Sequence, residues 1–418
     1  MAKFFGPEII ETGPGSAVVT ERKAATALLV GTAPIGDVHE TPEKRAEYVN
    51  KTHTFTRLED AVAAFGGHVE GFTIPAALED AFAQAQTNGI GEIDVVNVYD
   101  PDVHNVGNPV ANTDIVGSFS ASGQASGLQL AYSSYQRIGR FAKILLAPGF
   151  TGMTGVRAAL QTIANRTRGR ALIDAPSGVT AAQVIEARGP DGAFDFQFAD
   201  RRLVAMWPHI AMMDTASGEE RLSPYSSAFA GRWLSTIMEN GYHHSPSNHA
   251  LVLEDTEVPV TYIPGDPSSE VQQLRAAGIV TVEERYGKGP HTSGNRSSAY
   301  PTDTDLRNLL HVQFIEDMLD EEVIHYLDQH KDRNGNLARI EFIEERVNDR
   351  FKALMSGDDP VIYDGQFRFD RTKTTAASVA DQQFFWRTDY APVGVMETLT
   401  VDRNIDLDLI SNALGLAA

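Results

Sequence analysis

Up to about residue 265 the apolar positions alternate between two textures. Short unbroken apolar runs closed by Gly or Pro occur in ATALLVGTAPIG (25–36), IDVVNVYDP (93–101), AKILLAPG (142–149) and RALIDAP (170–176). Such runs predict buried strands that end in loops. Between them, residues 57–67, 75–89, 127–139, 153–167 and 180–189 space their apolar side chains at helical intervals, and most stop at a glycine. Strands alternating with helices predict an α/β body, a sheet layered with helices.

Both ends of the chain read differently. Residues 1–22 carry Pro7, Gly13, Pro14 and Gly15 around two apolar pairs, Ile9–Ile10 and Val18–Val19, the pattern of an extended arm. Beyond Gly265 the chain turns β- and turn-like through GIVTVEERYGKGPHTSGNRSS (278–298). Two long helices follow near 305–329 and 337–355, then a strand-like piece at 365–373. In the closing NIDLDLI (404–410), Ile405, Leu407 and Leu409 alternate with Asp406 and Asp408, the period of a half-buried strand. That strand lies so near the terminus that its partner need not come from the same chain. Strand-like termini predict pairing with other subunits, because an unpaired strand leaves its backbone groups unsatisfied. No internal repeat is visible.

Composition narrows the function classes. A chain of 418 residues predicts two or three domains. There is no run of eighteen apolar residues, so no transmembrane helix is expected, and the start lacks an apolar signal core. The absence of cysteine excludes disulfides, thiolate metal sites and a cysteine nucleophile. A formal charge of −21 disfavours binding to phosphate backbones.

Candidate chemistry is sparse. GYHHSPSNHA (241–250) holds His243, His244 and His249, but Ser245-Pro246 forces a turn between them, so they do not share a helix face. No HExxH or G-x-S-x-G motif supports a zinc enzyme or a serine nucleophile. HKDRNGNLARIE (330–341) places Asp332, Asn334, Gly335 and Glu341 as in a calcium loop, yet His330 stands where the first carboxylate belongs. A turn with Asn336 capping the next helix is the better reading. GSFSASGQASG (117–127) lacks the spacing of a dinucleotide loop. The carboxylate pairs Asp358–Asp359 and Glu321–Glu322 read as solvated faces. In the helix at 337–355, Leu337, Ile340, Ile343, Val347, Phe351 and Leu354 form one stripe, flanked by Arg339, Arg346 and Arg350. In so acidic a chain that row is a candidate contact for an acidic partner; the plainer alternative is pairing with Glu344, Glu345 and Asp349.

Several motifs, taken in order, resemble the tail sheath proteins of contractile-tailed bacteriophages and related contractile injection systems. The opening FFGPEIIETGPGSAVVTERKAATALLVGTAPIG is similar to that family's PG-containing arm followed by an apolar strand. GLQLAYSS, AKILLAPGFTG and VRAALQTIANRTRGRALIDAP resemble its middle segment. SPYSSAFAGRWLSTIMENGYHHSPSNHAL resembles its S-x-x-x-A-G helix and the S-P-S-N turn, Ser245, Pro246, Ser247 and Asn248. The stretch containing Gly294, Asn295 and Arg296 is similar to its G-N-R region, with Ser293 where the family has Trp and Ser297 where it has Thr.

The resemblance implies a multi-domain sheath fold and a mechanical role without a cofactor or bound metal. Subunits would stack as hexameric rings around an inner tail tube, with baseplate and tail terminator proteins as further partners and no nucleic acid or membrane insertion. The place of work would be the virion tail, assembled in the host cytoplasm. Contraction would drive the tube through the host envelope. The expected divisions are an N-terminal linker arm at 1–24 and an α/β body at 25–275. A tube-facing α+β domain at 276–396 and a C-terminal linker arm at 397–418 complete them. Ile9, Ile10, Val18, Val19, Ile405, Leu407 and Leu409 would exchange strands between subunits. Arg339, Arg346 and Arg350 become candidates for facing the tube. Two rivals stay open: a metal-dependent hydrolase using His243, His244 and His249, and a subunit of a closed shell such as a capsid or microcompartment.

Overall fold

The computed structural model describes residues 23–105 and 107–414. Ile9, Ile10, Val18 and Val19, expected to exchange strands, lie outside the described residues.

The strands are β1 (Thr26–Gly31), β2 (Thr52–Phe55), β3 (Glu92–Asn97), β4 (Ile144–Leu146), β5 (Arg170–Asp174), β6 (Leu203–Met206), β7 (Ile210–Met213), β8 (Glu220–Ser223), β9 (Asp255–Thr256), β10 (Ile279–Arg285), β11 (Gly289–Ser293), β12 (Ile362–Phe369) and β13 (Trp386–Pro392). Eight of them form one sheet in the order β11-β10-β6-β5-β4-β1-β3-β2. The six inner strands pair in parallel, and the edges β2 and β11 are antiparallel. Inner strands covered on both faces read as unbroken apolar runs, which is why TALLVG shows no alternation in sequence. Its side chains nevertheless divide by the pleat. Ala27 and Leu29 enter one core, and Leu28 and Val30 enter the other.

The main helices are α1 (Leu58–Phe65), α2 (Thr73–Ala83), α3 (Leu130–Ile138), α4 (Thr154–Thr167), α5 (Tyr225–Asn240), α6 (Leu310–Asp328), α7 (Leu337–Leu354) and α8 (Leu407–Leu414). α3 and α4 cover one face, contributing Leu130, Val156, Leu160 and Ile163 to its core. α2, α5, α6 and α7 share the core on the other face. α5 is buried almost throughout, and it crosses α2 so closely that a Cβ on Gly231 would lie 2.2 Å from the Ala81 carbonyl oxygen. Only glycine fits that crossing.

The division expected at 275/276 falls inside the large sheet. β10 pairs in parallel with β6 at Ile279–Ala205 and Val280–Met206, so the sheet runs through that point without a break. The helices beyond it are held to the sheet by charge as well as by packing. Asp317 on α6 accepts hydrogen bonds from Arg170 Nη2 at 2.5 Å and from Arg202 Nη2 at 2.7 Å. Arg170 and Asp317 are both fully buried, and Arg170 also stacks over Phe314 at 4.4 Å. Loss of hydration lowers the Arg170 guanidinium to about 10, and the Asp317 carboxylate works against that shift. Lys143 pairs with Glu321 and Arg168 with Asp320 along the same helix.

Among the described residues there are also two small sheets: β8-β7-β9, and the hairpin β12-β13. One expectation is corrected at the C terminus. The strand expected at 404–410 is not formed: residues 393–406 carry no regular element, and Leu407–Leu414 is helical. A lone strand has no partner for its backbone groups, whereas a helix satisfies its own; Ile410, Ala413 and Leu414 also stand at helical spacing.

Candidate assembly site

The S-P-S-N turn and the G-N-R stretch lie far apart in sequence and meet in space. Asn248 N donates to the Thr292 carbonyl at 2.7 Å, and Thr292 Oγ1 donates back to the Pro246 carbonyl at 2.7 Å. Gly294 N donates to Ser247 Oγ at 3.0 Å, and Ser247 N to Ser245 Oγ at 3.2 Å. Arg285 on β10 reaches Asn248 Oδ1. Asn248 itself holds φ +71°, a left-handed conformation that asparagine tolerates better than most residues. The turn is thereby stitched onto the edge strand β11.

On the other side of this junction begins the C-terminal arm. Asn295 Nδ2 donates to His311 Nδ1 at 2.9 Å, in a fully buried pair beside the Val393 carbonyl. Burial brings the His311 imidazole down to about 4, so it is neutral near pH 7 and receives the Asn295 proton at Nδ1. Arg296 Nη2 donates to Glu397 Oε2 at 2.5 Å and stacks over Tyr300. G-N-R is therefore the anchor of the arm. Beyond Glu397 the arm carries Leu399, Val401 and Ile405, at 75%, 85% and 80% exposure. Leu409 is also exposed, and Leu407 lies in α8.

Next to the anchor stands the β12-β13 hairpin. Its β12 strand leans on α7 through Asn348. Phe367 N donates to Asn348 Oδ1 at 2.8 Å, and Asn348 Nδ2 donates to the Phe367 carbonyl at 2.7 Å. Among the described residues β13 pairs with β12 alone, so its other edge is open. A groove of about 1010 Å³ runs between α7 and the hairpin, lined by Glu341, Glu345, Asn348, Gln366 and Tyr390 among others.

The other candidates separate. Asn336 caps α7 as expected, accepting from Arg339 N at 2.9 Å. Of the expected α7 stripe, Ile343, Val347, Phe351 and Leu354 are buried, while Leu337 is exposed. The arginine row is half-buried rather than displayed. Arg350 makes two 2.9 Å bonds to the buried Glu322, and Arg346 lies 3.4 Å from Asp349 and over Phe342. Glu321 and Glu322, read as a solvated pair, are thus spent on Lys143 and Arg350. The three histidines of 241–250 do not form one cluster. His249 Nε2 lies 2.9 Å from its own turn's Ser245 carbonyl, whereas His243 and His244 approach Asp359. His311 and Glu397 escaped the sequence reading, and Asp359 was read there as part of a solvated face, because each acts through a partner distant in the chain.

No protein-family model matches the chain. Among curated proteins, the tail sheath protein of Burkholderia phage BcepMu is 28% identical over 486 aligned positions, covering 98% of both chains. The tail sheath protein of Escherichia phage P2 is 22% identical over 411 positions, covering 97% of this chain and 96% of that one. Over nearly its whole length the chain is similar to phage tail sheath proteins. Its fold agrees. The sheath of the PVC extracellular contractile injection system, solved in its contracted state, superposes with a TM-score of 0.68 at 13% identity, over 98% of this chain and 99% of that one. The contracted helical sheath of the anti-feeding prophage superposes with a TM-score of 0.65 at 16% identity, over 96% and 99%. The chain thus combines the layered α/β body, the hairpin and the terminal arm in one sheath-like fold.

Proposed function

We propose that this chain is the structural subunit of a contractile tail sheath rather than an enzyme. It polymerises as stacked hexameric rings around an inner tail tube, engages baseplate and tail terminator proteins in the virion tail, and contracts to drive the tube through the host envelope. The observation that carries the assembly reading is the arm beyond Glu397. Its root is fixed by Arg296 while Leu399, Val401 and Ile405 project uncovered. Apolar side chains spaced along an extended segment are suited to strand addition on a neighbouring subunit. The open edge of β13 and the groove beside α7 offer a receiving surface. In that exchange Ile405, Leu407 and Leu409 leave the monomer's conformation for a strand, together with Ile9, Ile10, Val18 and Val19 at the other terminus. Arg339 and Arg346 are the arginines carried forward as tube-facing, since Arg350 holds Glu322.

Negative-stain electron microscopy of the purified protein tests this, with and without its tube protein. Ribbed tubes are expected from the full chain and none from a chain lacking residues 397–418. Tubes formed equally by the truncated chain would overturn the role of the arm. Arg339→Glu with Arg346→Glu is expected to lose only tube-templated assembly; normal templated tubes would remove those residues from the tube face.

A further inference from the structure

We propose that His243, His244 and Asp359 bind one divalent transition-metal ion of the zinc type. The ion would clamp the turn after α5 to the loop before β12. The proposal is independent of the sheath reading and involves no catalysis.

The ligand atoms of these three residues lie within 4.8 Å of one another. His243 Nε2 is 3.1 Å and His244 Nε2 is 2.7 Å from the same oxygen, Asp359 Oδ2. A tetrahedral ion with bonds of about 2.0–2.1 Å holds neighbouring ligand atoms about 3.3 Å apart. The two separations from the carboxylate are therefore slightly closed, and its retreat by about half an ångström opens them to that spacing. Asp359 is free to make that movement. Its side chain is 62% exposed, and it stands two residues after Gly357, which holds φ +97°. The His243 imidazole is the fixed part of the site, and His244 is 35% exposed. His243 is 11% exposed and lies edge-on to Tyr242. Its ring also rests over Gly241, where a Cβ would come within 2.9 Å. The two imidazole centroids are 4.5 Å apart.

Donor chemistry selects the ion. Two imidazoles and one carboxylate suit zinc, cobalt or nickel, whereas calcium and magnesium require shells of oxygen. Three protein ligands leave one tetrahedral position for water, reached from the exposed carboxylate side. His244 and Asp359 stand 115 residues apart in the chain. An ion between them closes a long loop and stabilises the folded state by mass action.

The test uses full-length, untagged protein stripped with a chelator and then dialysed. Zinc titrated by calorimetry is expected to bind with one equivalent per chain at micromolar affinity. At a hundredfold excess over Kd the thermal midpoint rises by about 3 °C. Cobalt is expected to give the intense visible absorption of a tetrahedral site. His244→Ala and Asp359→Asn should each weaken binding by about tenfold or more. His249→Ala should bind as the parent does, because His249 faces Ser245. Asp359→Asn alters an exposed side chain and is expected to keep the parent's circular dichroism, so its loss of affinity cannot be attributed to unfolding. No zinc binding below about 1 mM, or equal binding by a folded His243→Ala/His244→Ala variant, would overturn the proposal.

Discussion

The large sheet and the β12-β13 hairpin are built from the same kind of strand and end in opposite conditions. In β1 every residue is buried, and the pleat divides its side chains between two cores. In β12 only Ile362 and Phe367 are buried, and β13 has no fully buried residue. A two-stranded ribbon is marginal by itself, and this one depends on α7 and on the Asn348 bridge. The difference separates two tasks. The sheet and its helices hold the subunit together. The hairpin, its open edge and the arm beyond it are underpacked within one chain, and they gain their missing neighbours from other chains in the proposed assembly.

The largest effect is expected where the sheet is joined to α6. Asp317→Ala leaves Arg170 buried without its carboxylate, next to Arg202. Breaking a buried pair in this way costs about 3–5 kcal/mol. Urea unfolding followed by fluorescence should show that loss in the midpoint. A change below about 1 kcal/mol would mean that the α6 junction does not share the core's stability. Phe367→Ala should sharpen the contrast, with a loss of about 3 kcal/mol, because Ile362 is the one other side chain that β12 buries.

How much was legible in the sequence follows the same division. Strands such as 142–149 and 170–176 were readable because burial on both faces produces an unbroken apolar run between turn residues. Helix α7 was readable from its stripe and from Asn336. β8 and β13 were not, because half-exposed edge segments such as ERLS and WRTDYAP carry no periodic signal. The continuation of the sheet from β6 to β10 was not legible either, because the change in local texture near 275/276 says nothing about which strand pairs with β6. At the candidate site the S-P-S-N and G-N-R motifs were visible, but their contact was not. It joins Thr292 Oγ1 to the Pro246 carbonyl and Ser247 Oγ to Gly294 N, groups 46 and 47 residues apart in the chain, and spacing alone does not show that they meet. The 404–410 alternation fitted a strand, and the isolated chain forms a helix at 407–414 instead, because pairing depends on a partner and spacing alone does not supply one.

A pH series probes the boundary between the two regions. His311 lies at the root of the arm with its pKa brought down to about 4 by burial, against about 6.5 in the unfolded chain. The unfolded state therefore takes up a proton below pH 6.5 that the folded state refuses until pH 4. The contribution is fully present above pH 6.5 and is lost as the pH falls from 6.5 towards 4, up to about 3 kcal/mol. His311→Gln keeps an acceptor for Asn295 and removes the titration. Its stability should fall less steeply over that interval, measured by urea unfolding at several pH values. Parallel slopes for both proteins would place the proton uptake elsewhere.

The smallest effect on the subunit is expected to accompany the largest effect on assembly. Leu399→Ser, Val401→Ser and Ile405→Ser replace side chains that are three-quarters or more exposed. Exposed positions away from caps and buried polar networks change stability by less than about 0.5 kcal/mol. The triple variant should therefore unfold in urea with the parent. If these residues serve only as solvated linker, assembly should be equally indifferent. If they are the apolar teeth of a donated strand, each loses a burial worth about 1.5–3 kcal/mol at every subunit contact, and the loss repeats along the whole tube. A variant that unfolds like the parent and forms no tubes would assign the arm's apolar residues to contacts between chains. Parent-like tubes would remove that assignment, and the hairpin and body surfaces would then have to carry the lattice.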